Sequence, residues 1–209
     1  AGPADFIDWN GLRNHAEIRF WADYIDPAKS GYIYDDAGNT GGLPEGAAFV
    51  ILGDLNASAV EGDATGDPIS LLLDNPLVQG EFKPGSLGGI ENSPENPHAR
   101  YHTATWSMRA DYVLPARAGL TIAQGEVYWP TRGDALRHLA GASDHRPVWL
   151  DLSLGAGRQR DILVITDDMP QAINIAPATL SVLYGRTAGH IVNLPQGAGA
   201  TNIDAETVV

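Results

Sequence analysis

The sequence contains no cysteine, only two lysines (Lys29 and Lys83) and no long apolar run. Without cysteine the chain cannot form disulfides, thiolate metal sites or a cysteine nucleophile. The apolar stretches, such as 47–52, are far shorter than the roughly 20 residues that a membrane-spanning helix needs. Residues 1–20 lack the basic start and apolar run of a signal peptide, although one could already have been removed. These features exclude thiol-dependent and disulfide-stabilised classes of protein and predict no membrane span.

The composition is that of an acidic globular protein. The chain has 209 residues, 44% of them hydrophobic, and 13 Lys and Arg against 26 Asp and Glu give a formal charge of −13. This length is enough for a buried core in one domain, or in one domain with an appendage. The negative charge repels phosphate backbones, so avid nucleic-acid binding is not expected unless cations or a basic patch intervene. The location stays open, with an extracytoplasmic or secreted protein favoured.

The first three quarters of the chain predict helices interleaved with strands. A helix is expected within 5–26, capped by Asn10 or Asn14, because apolar residues recur at three-to-four spacing before Pro27. The apolar run within 47–56 is typical of a strand buried on both faces. A second helix is expected at 69–74, a long loop at 80–97 and a helical turn at 135–140. Further strands are expected at 103–107, 110–115, 120–129 and 147–152.

The end of the chain differs in composition. A Gly-rich stretch at 155–158 is followed by residues with little charge and much Ala, Ile, Val and Thr. Strands are expected at 161–166, 179–183 and 190–194. We therefore divide the chain into a main domain, 1–153, and a segment, 154–209, consisting of a linker and a β-rich tail. The tail is either a small added module or a set of strands that complete the main sheet.

Three short polar motifs stand at the ends of predicted strands. They are Gly53-Asp54-Leu55-Asn56, Arg109-Ala110-Asp111-Tyr112 and Ser143-Asp144-His145-Arg146. A carboxylate at a strand end is held rigidly and still reaches solvent, which is where α/β proteins place reactive groups. Each motif alone has a purely structural alternative: a turn after a strand, a buried ion pair, or a capped turn. Their occurrence together favours a catalytic or metal-binding site.

The residue types in these motifs suit hydrolysis. On an extended backbone Asp54 and Asn56 leave the same face, where a carboxylate can orient and deprotonate water and an amide can stabilise negative charge. Asp144 can bind a divalent cation or orient the imidazole of His145. Asp111 requires a partner if it is buried, and Arg109 or Arg117 could provide one. His102 is a further candidate for the site, whereas the strand residues Trp106, Trp129 and Trp149 are expected in the core.

These motifs resemble those of the endonuclease/exonuclease/phosphatase superfamily, which has the DNase I-like fold. The resemblance covers about residues 5–152 and includes the stretch 10–25, which is similar to the helix before the Gly-Asp-Leu-Asn strand in a bacterial branch of that family. It implies an α/β (α+β) fold, a four-layered α/β sandwich with two mixed β-sheets. It also implies hydrolysis of phosphoesters with the help of Mg²⁺, or Mn²⁺ or Ca²⁺ in its place.

The resemblance also implies a role for each motif residue. Asp54 would activate the attacking water and contribute to the metal site, and Asn56 would steady the pentacovalent phosphorus. Asp111 would support the leaving-group side, and Asp144 would bind the metal or orient its neighbour. His145 would contact the phosphoryl oxygens or act as acid or base. Asn56 and His145 are thus expected to bind substrate, and His102 is added to them because it lies close to the Asp111 strand in the chain.

The chain departs from the family pattern in its first part. The early Asn, the metal-binding Glu and the His that precede the matched stretch in the family have no counterpart before Asp54. We therefore expect that the chain holds only the second half of the domain, with the N-terminal half a missing partner segment. A metal site without that Glu would bind Mg²⁺ weakly. A catalytically silent scaffold that acts as a binding module is the alternative function.

Overall fold

The computed structural model describes residues 8–155 and four later strands, 162–166, 172–176, 179–183 and 190–193. Three α-helices are present in these parts: α1 (Trp9–Tyr24), α2 (Ser70–Leu73) and α3 (Leu87–Asn92). The strands are β1 (Ala48–Asp54), β2 (Asp111–Pro115), β3 (Leu120–Val127), β4 (Val148–Leu154), β5 (Ile162–Thr166), β6 (Ala172–Ala176), β7 (Thr179–Leu183) and β8 (His190–Asn193). Short 3₁₀ turns cover Ser30–Tyr32, Ala99–Tyr101 and Arg137–Ala142.

The strands form two four-stranded sheets, in the orders β2-β1-β5-β8 and β3-β4-β7-β6. The β1–β5 pair is parallel and the other pairs are antiparallel. The first sheet is therefore mixed. Helices together with these sheets give the α+β class and agree with the DNase I-like fold that the motifs imply.

The core contains residues from both sheets and from the helices in one cluster. Ile18 of α1, Leu52 of β1 and Leu72 of α2 belong to it together with Leu114 of β2 and Leu150 of β4. The first six residues of β1 are all buried, as the continuous apolar run predicts, whereas the first five residues of β4 alternate between buried and half-buried positions. This packing fixes β1 in the interior, so its last residue, Asp54, has a well-defined position.

Several predicted elements are confirmed, and three expectations are wrong. Helix α1 is capped by Asp8, whose Oδ1 accepts a hydrogen bond from the Gly11 N–H (2.9 Å), and not by Asn10 or Asn14. The expected loop at 80–97 contains α3, which Ser86 caps in the same way. The expected strand at 103–107 is a tight turn with a bridge between Ala104 and Met108.

The strands beyond residue 155 extend both sheets. β5 pairs with β1, and β7 pairs with β4. The three predicted strands of this segment match β5, β7 and β8, and β6 is an additional one. The division of the chain at residue 153 stays a prediction.

Candidate active site

Asp54 and Asp111 are neighbours across two strands of the first sheet. Asp54 is the last residue of β1 and Asp111 is the first residue of β2, and the two are paired in the antiparallel register. The strand that ends at Asp54 therefore meets the strand that begins at Asp111. The main-chain N–H of Leu55 also donates to the Ala110 carbonyl (2.9 Å), which extends the pairing past the strand ends.

His145 completes a group of three side chains. Its Nδ1 lies 2.9 and 3.1 Å from the two carboxylate oxygens of Asp111, and its Nε2 lies 3.8 Å from Oδ2 of Asp54. Ligand atoms of the three residues all lie within 4.8 Å of one another. The three motifs that are separated in the chain thus meet at one place.

The three side chains differ in their access to solvent. The Asp111 side chain is fully buried (0% exposed), that of His145 is 13% exposed and that of Asp54 is 31% exposed. A buried carboxylate is stable only if donors satisfy it, and here the imidazole is the donor. We therefore describe Asp111 and His145 as a buried couple that turns Nε2 towards the more exposed carboxylate of Asp54.

The expected partners of Asp111 are wrong. The guanidinium of Arg109 lies over the ring of Tyr112, 4.3 Å from its centroid. Arg117 forms a bidentate pair with Glu81 (2.7 and 2.8 Å) at the surface. The partner of Asp111 is instead the imidazole of His145, because the segment 143–146 lies next to the start of β2.

The couple changes the acidity of the imidazole. The hydrogen bond to Asp111 raises the pKa of His145 above its ordinary value, and burial opposes this shift. The negative charges of Asp111, Asp54 and Asp144 raise the pKa of His145 further. The imidazole is therefore cationic to a higher pH than a free histidine, which suits a group that faces phosphate oxygens.

Asn56 is close to Asp54, but not in the extended backbone expected from the sequence. Its φ of +43° is left-handed, and its main-chain N–H donates to Oδ1 of Asp54 (2.9 Å). Asn and Asp adopt such a conformation more readily than most residues because their side chains bond the local backbone. The side chain of Asn56 is exposed and lines a cavity of about 280 Å³ that Trp106 also lines.

Asp144 does not join the metal-ligand group. Ligand atoms within 4.8 Å of one another belong to Asp54, Asp111 and His145, so the role of Asp144 as a metal ligand stays a prediction. Asp144 is exposed, and its carbonyl accepts a hydrogen bond from the Thr105 N–H (2.9 Å).

His102 is also placed differently from its expected role. It is fully buried, and its Nε2 lies 2.8 Å from Oε1 of Glu61. The expectation that His102 contacts substrate is wrong because a side chain with no exposed surface cannot do so. The sequence predicts this role because His102 lies close to β2 in the chain. Its pairing with Glu61 joins two distant segments and could not be predicted from neighbouring residues.

Trp106 contacts the candidate site, although the sequence predicts it in the core. It is 47% exposed, and its ring packs edge-on against the His145 imidazole, with 4.8 Å between the ring centroids. The following residue, Ser107, has a left-handed φ of +68°, which forms the tight turn that carries Trp106 outwards. Trp129, by contrast, is 3% exposed and lies in the core as expected.

The donor atoms of the group fit a divalent cation. Hard cations prefer carboxylate oxygens, and Asp54 offers them at a partly exposed position. Both oxygens of Asp111 face Nδ1 of His145 and its side chain is fully buried, so Asp54 is the more accessible carboxylate of the two. The residues can hold a cation, but with few protein ligands.

A model of the Endonuclease/Exonuclease/phosphatase family matches residues 4–145. This range includes Asp54, Asp111 and His145 and covers more than half of the chain. No curated protein and no solved structure matches the chain significantly. In the described parts of the chain, none of the helices is both long and apolar enough to cross a membrane.

Proposed function

Because the chain belongs to the endonuclease/exonuclease/phosphatase family, we propose that it hydrolyses phosphoesters with the help of a divalent cation, Mg²⁺ or a substitute such as Mn²⁺ or Ca²⁺. The observation that carries the proposal is the buried Asp111–His145 couple, which faces Asp54 at the ends of β1 and β2. Membership of this family supports the hydrolysis of phosphoesters as the general activity. The roles of individual residues and the identity of the ion belong to the proposal.

Asp54 orients and deprotonates the attacking water. It is the more exposed carboxylate of the two, so water reaches it, and its position at the end of a buried strand keeps it rigid. A positioned base of this kind contributes about 10²- to 10⁴-fold to a reaction rate. The exposed amide of Asn56, next to Asp54, donates to the oxygens of the attacked phosphoryl group.

His145 carries positive charge towards the phosphoryl oxygens. Asp111 holds the ring by accepting from Nδ1, so Nε2 is the atom that donates to substrate or transfers a proton. A divalent cation bound at Asp54 would neutralise phosphate charge in the same region. Negative charge that develops in the transition state is thus stabilised by groups already in position.

The test is hydrolysis of bis-p-nitrophenyl phosphate by the full chain with Mg²⁺ or Mn²⁺. We expect Asp54→Ala and His145→Ala each to lower kcat by about 10²- to 10⁴-fold. Glu81→Gln is the matched control, because it removes a carboxylate charge from an exposed surface pair with Arg117. If both site variants keep wild-type kcat while the protein is active, the assigned roles are wrong.

A catalytically silent binding module is the second candidate. It is favoured by the burial of Asp111 against Nδ1 of His145, which leaves Asp54 as the accessible carboxylate of the group and predicts weak binding of Mg²⁺. Isothermal titration calorimetry with Mg²⁺ and Mn²⁺ distinguishes the two. Tight binding that Asp54→Ala abolishes supports the hydrolase, and the absence of binding together with the absence of hydrolysis supports the silent module.

A further inference from the structure

The hydroxyl of Thr103 is bound to the strand that carries Asp111. Its Oγ1 accepts hydrogen bonds from two successive main-chain N–H groups, those of Ala110 and Asp111, both at 2.9 Å. All three residues are buried. A hydroxyl oxygen has two lone pairs, and both are used here. The side chain of Thr103 therefore fixes the backbone at the first residue of β2.

The main chain around Thr103 is bound to the segment that carries His145. The Thr103 carbonyl accepts from the Arg146 N–H (2.7 Å), and the Thr105 N–H donates to the Asp144 carbonyl (2.9 Å). Ala104, between them, forms a bridge with His145. Both members of the couple are thus attached to the segment 103–105: Asp111 through the side chain of Thr103, and His145 through the main chain of the segment.

This segment is itself held in place from outside. His102, directly before Thr103, is buried and bonded to Glu61, whose Oε1 also accepts from the Nδ2 of Asn96 (2.7 Å). The Thr103 N–H donates to the Met108 carbonyl (3.0 Å). These bonds fix the start of the segment, and with it the position of Thr103.

We propose that Thr103 is a positioning residue that sets the distance between Asp111 and His145 by bonding the backbone on both sides of the couple. The inference rests on the proposed function and adds to it a residue that does not touch substrate. A misplacement of about 1 Å in catalytic groups can cost about 10²-fold in rate. The hydroxyl is therefore expected to affect kcat more than KM.

The direct test replaces Thr103 by Val, which keeps the shape of the side chain and removes the acceptor. Two buried N–H groups then lose their partner, and the start of β2 shifts to satisfy them. We expect kcat for bis-p-nitrophenyl phosphate to fall by roughly 10- to 100-fold, while KM changes by less than about threefold. Thr103→Ser keeps the acceptor oxygen and is expected to retain at least about half of the wild-type kcat.

A spectroscopic readout tests the inference without relying on activity. In ¹⁵N-histidine-labelled protein, the Nδ1–H of His145 bonded to a carboxylate should give a downfield proton resonance that His145→Ala removes. We expect Thr103→Val to shift or broaden this resonance and Thr103→Ser to preserve it. If the wild type shows the resonance but no hydrolysis, the proposed function fails and the positioning role is still tested.

Ser86→Ala is the matched control for lost stability. Ser86 is also a buried hydroxyl residue whose oxygen accepts from a main-chain N–H, that of Gly89 (3.0 Å), but it caps α3. We expect this variant to lower the melting temperature without changing kcat or the His145 resonance. If Thr103→Val does not fold, Thr103→Cys, a poorer acceptor in a reduced sample, replaces it. Wild-type kcat and an unchanged resonance in the folded acceptor-deficient variant would overturn the inference.

Discussion

Asp111 and His145 depend on each other for stability as well as for chemistry. The carboxylate of Asp111 is fully buried, and the imidazole of His145, whose side chain is 13% exposed, donates to it. A buried charge whose partner is removed is destabilising, whereas removal of both members of a pair can be nearly neutral. The couple therefore contributes to the conformation of the site before any substrate binds.

The first prediction concerns this coupling. His145→Ala leaves the Asp111 carboxylate buried without its donor and should lower the free energy of unfolding by about 3–5 kcal/mol. Adding Asp111→Asn to His145→Ala should recover part of the loss, with a coupling energy of about 1–3 kcal/mol. Urea denaturation of the wild type, the two single variants and the double variant measures it. Strictly additive effects would show that the couple contributes no interaction energy.

The second prediction concerns pH in the absence of added metal. The pKa of His145 is raised, chiefly by the hydrogen bond to Asp111 and also by Asp54 and Asp144. The contribution of His145 to the free energy of unfolding is therefore fully present below its pKa in the unfolded chain, about 6.5. It is lost as the pH rises through the higher pKa of the folded protein. Asp111→Asn should lower the pKa of His145 and reduce this loss. NMR titration of His145 with parallel urea unfolding measures both, and a pKa unaffected by Asp111→Asn would contradict the assigned cause.

At the scale of single elements, helix α3 is determined by its contacts more than by its composition. Its two glycines at 88 and 89 are unfavourable in a helix, and the sequence around it is typical of a loop. Ser86 caps it, and the Gly88 N–H donates to the Trp129 carbonyl (3.2 Å). A Cβ at position 88 would collide with that same carbonyl oxygen. The close approach of the backbone to Trp129 explains why glycine stands there.

The third prediction tests this close approach. Gly88→Ala should lower the free energy of unfolding by about 1–3 kcal/mol because the helix must move away from Trp129. Helix propensity alone predicts the opposite, a gain of about 1 kcal/mol. Gly133→Ala is the control, because a Cβ there meets nothing within 4 Å, and its effect should stay within about 0.5 kcal/mol. Chemical denaturation of the two variants decides between the two expectations.

At the scale of the whole molecule, the later strands matter for both sheets. β5 pairs with β1 and β7 pairs with β4, so each sheet continues into strands beyond residue 155. An unpaired strand edge exposes a row of backbone donors and acceptors and favours association. The later strands cover one edge of β1, which carries Asp54, and one edge of β4.

The fourth prediction follows from these pairings. A chain ending at residue 155 leaves one edge of β1 and one edge of β4 uncovered, and we expect it to self-associate and to unfold at a lower temperature than the full chain. Size-exclusion chromatography and thermal unfolding measure this. A monomer with an unchanged melting temperature would support the alternative, in which 154–209 is a separate module.

The sequence alone indicated the family, most strands and the candidate site residues Asp54, Asp111 and His145, because these depend on patterns within a few residues. It did not indicate the turn that exposes Trp106, since a left-handed serine such as Ser107 carries no signal comparable to that of glycine. Nor did it indicate that α3 forms, since this depends on a cap and on a carbonyl of Trp129 that is distant in the chain.

Local patterns thus determined which residue types stand at the strand ends and what chemistry they can perform. Only the tertiary structure decided how they are combined. It paired Asp111 with His145 in place of arginine, buried His102 against Glu61 and left Asp144 outside the ligand group. The physical reason is that burial and hydrogen-bond partners join segments separated by tens of residues, whereas propensity and periodicity act over one turn of a helix or a few residues of a strand.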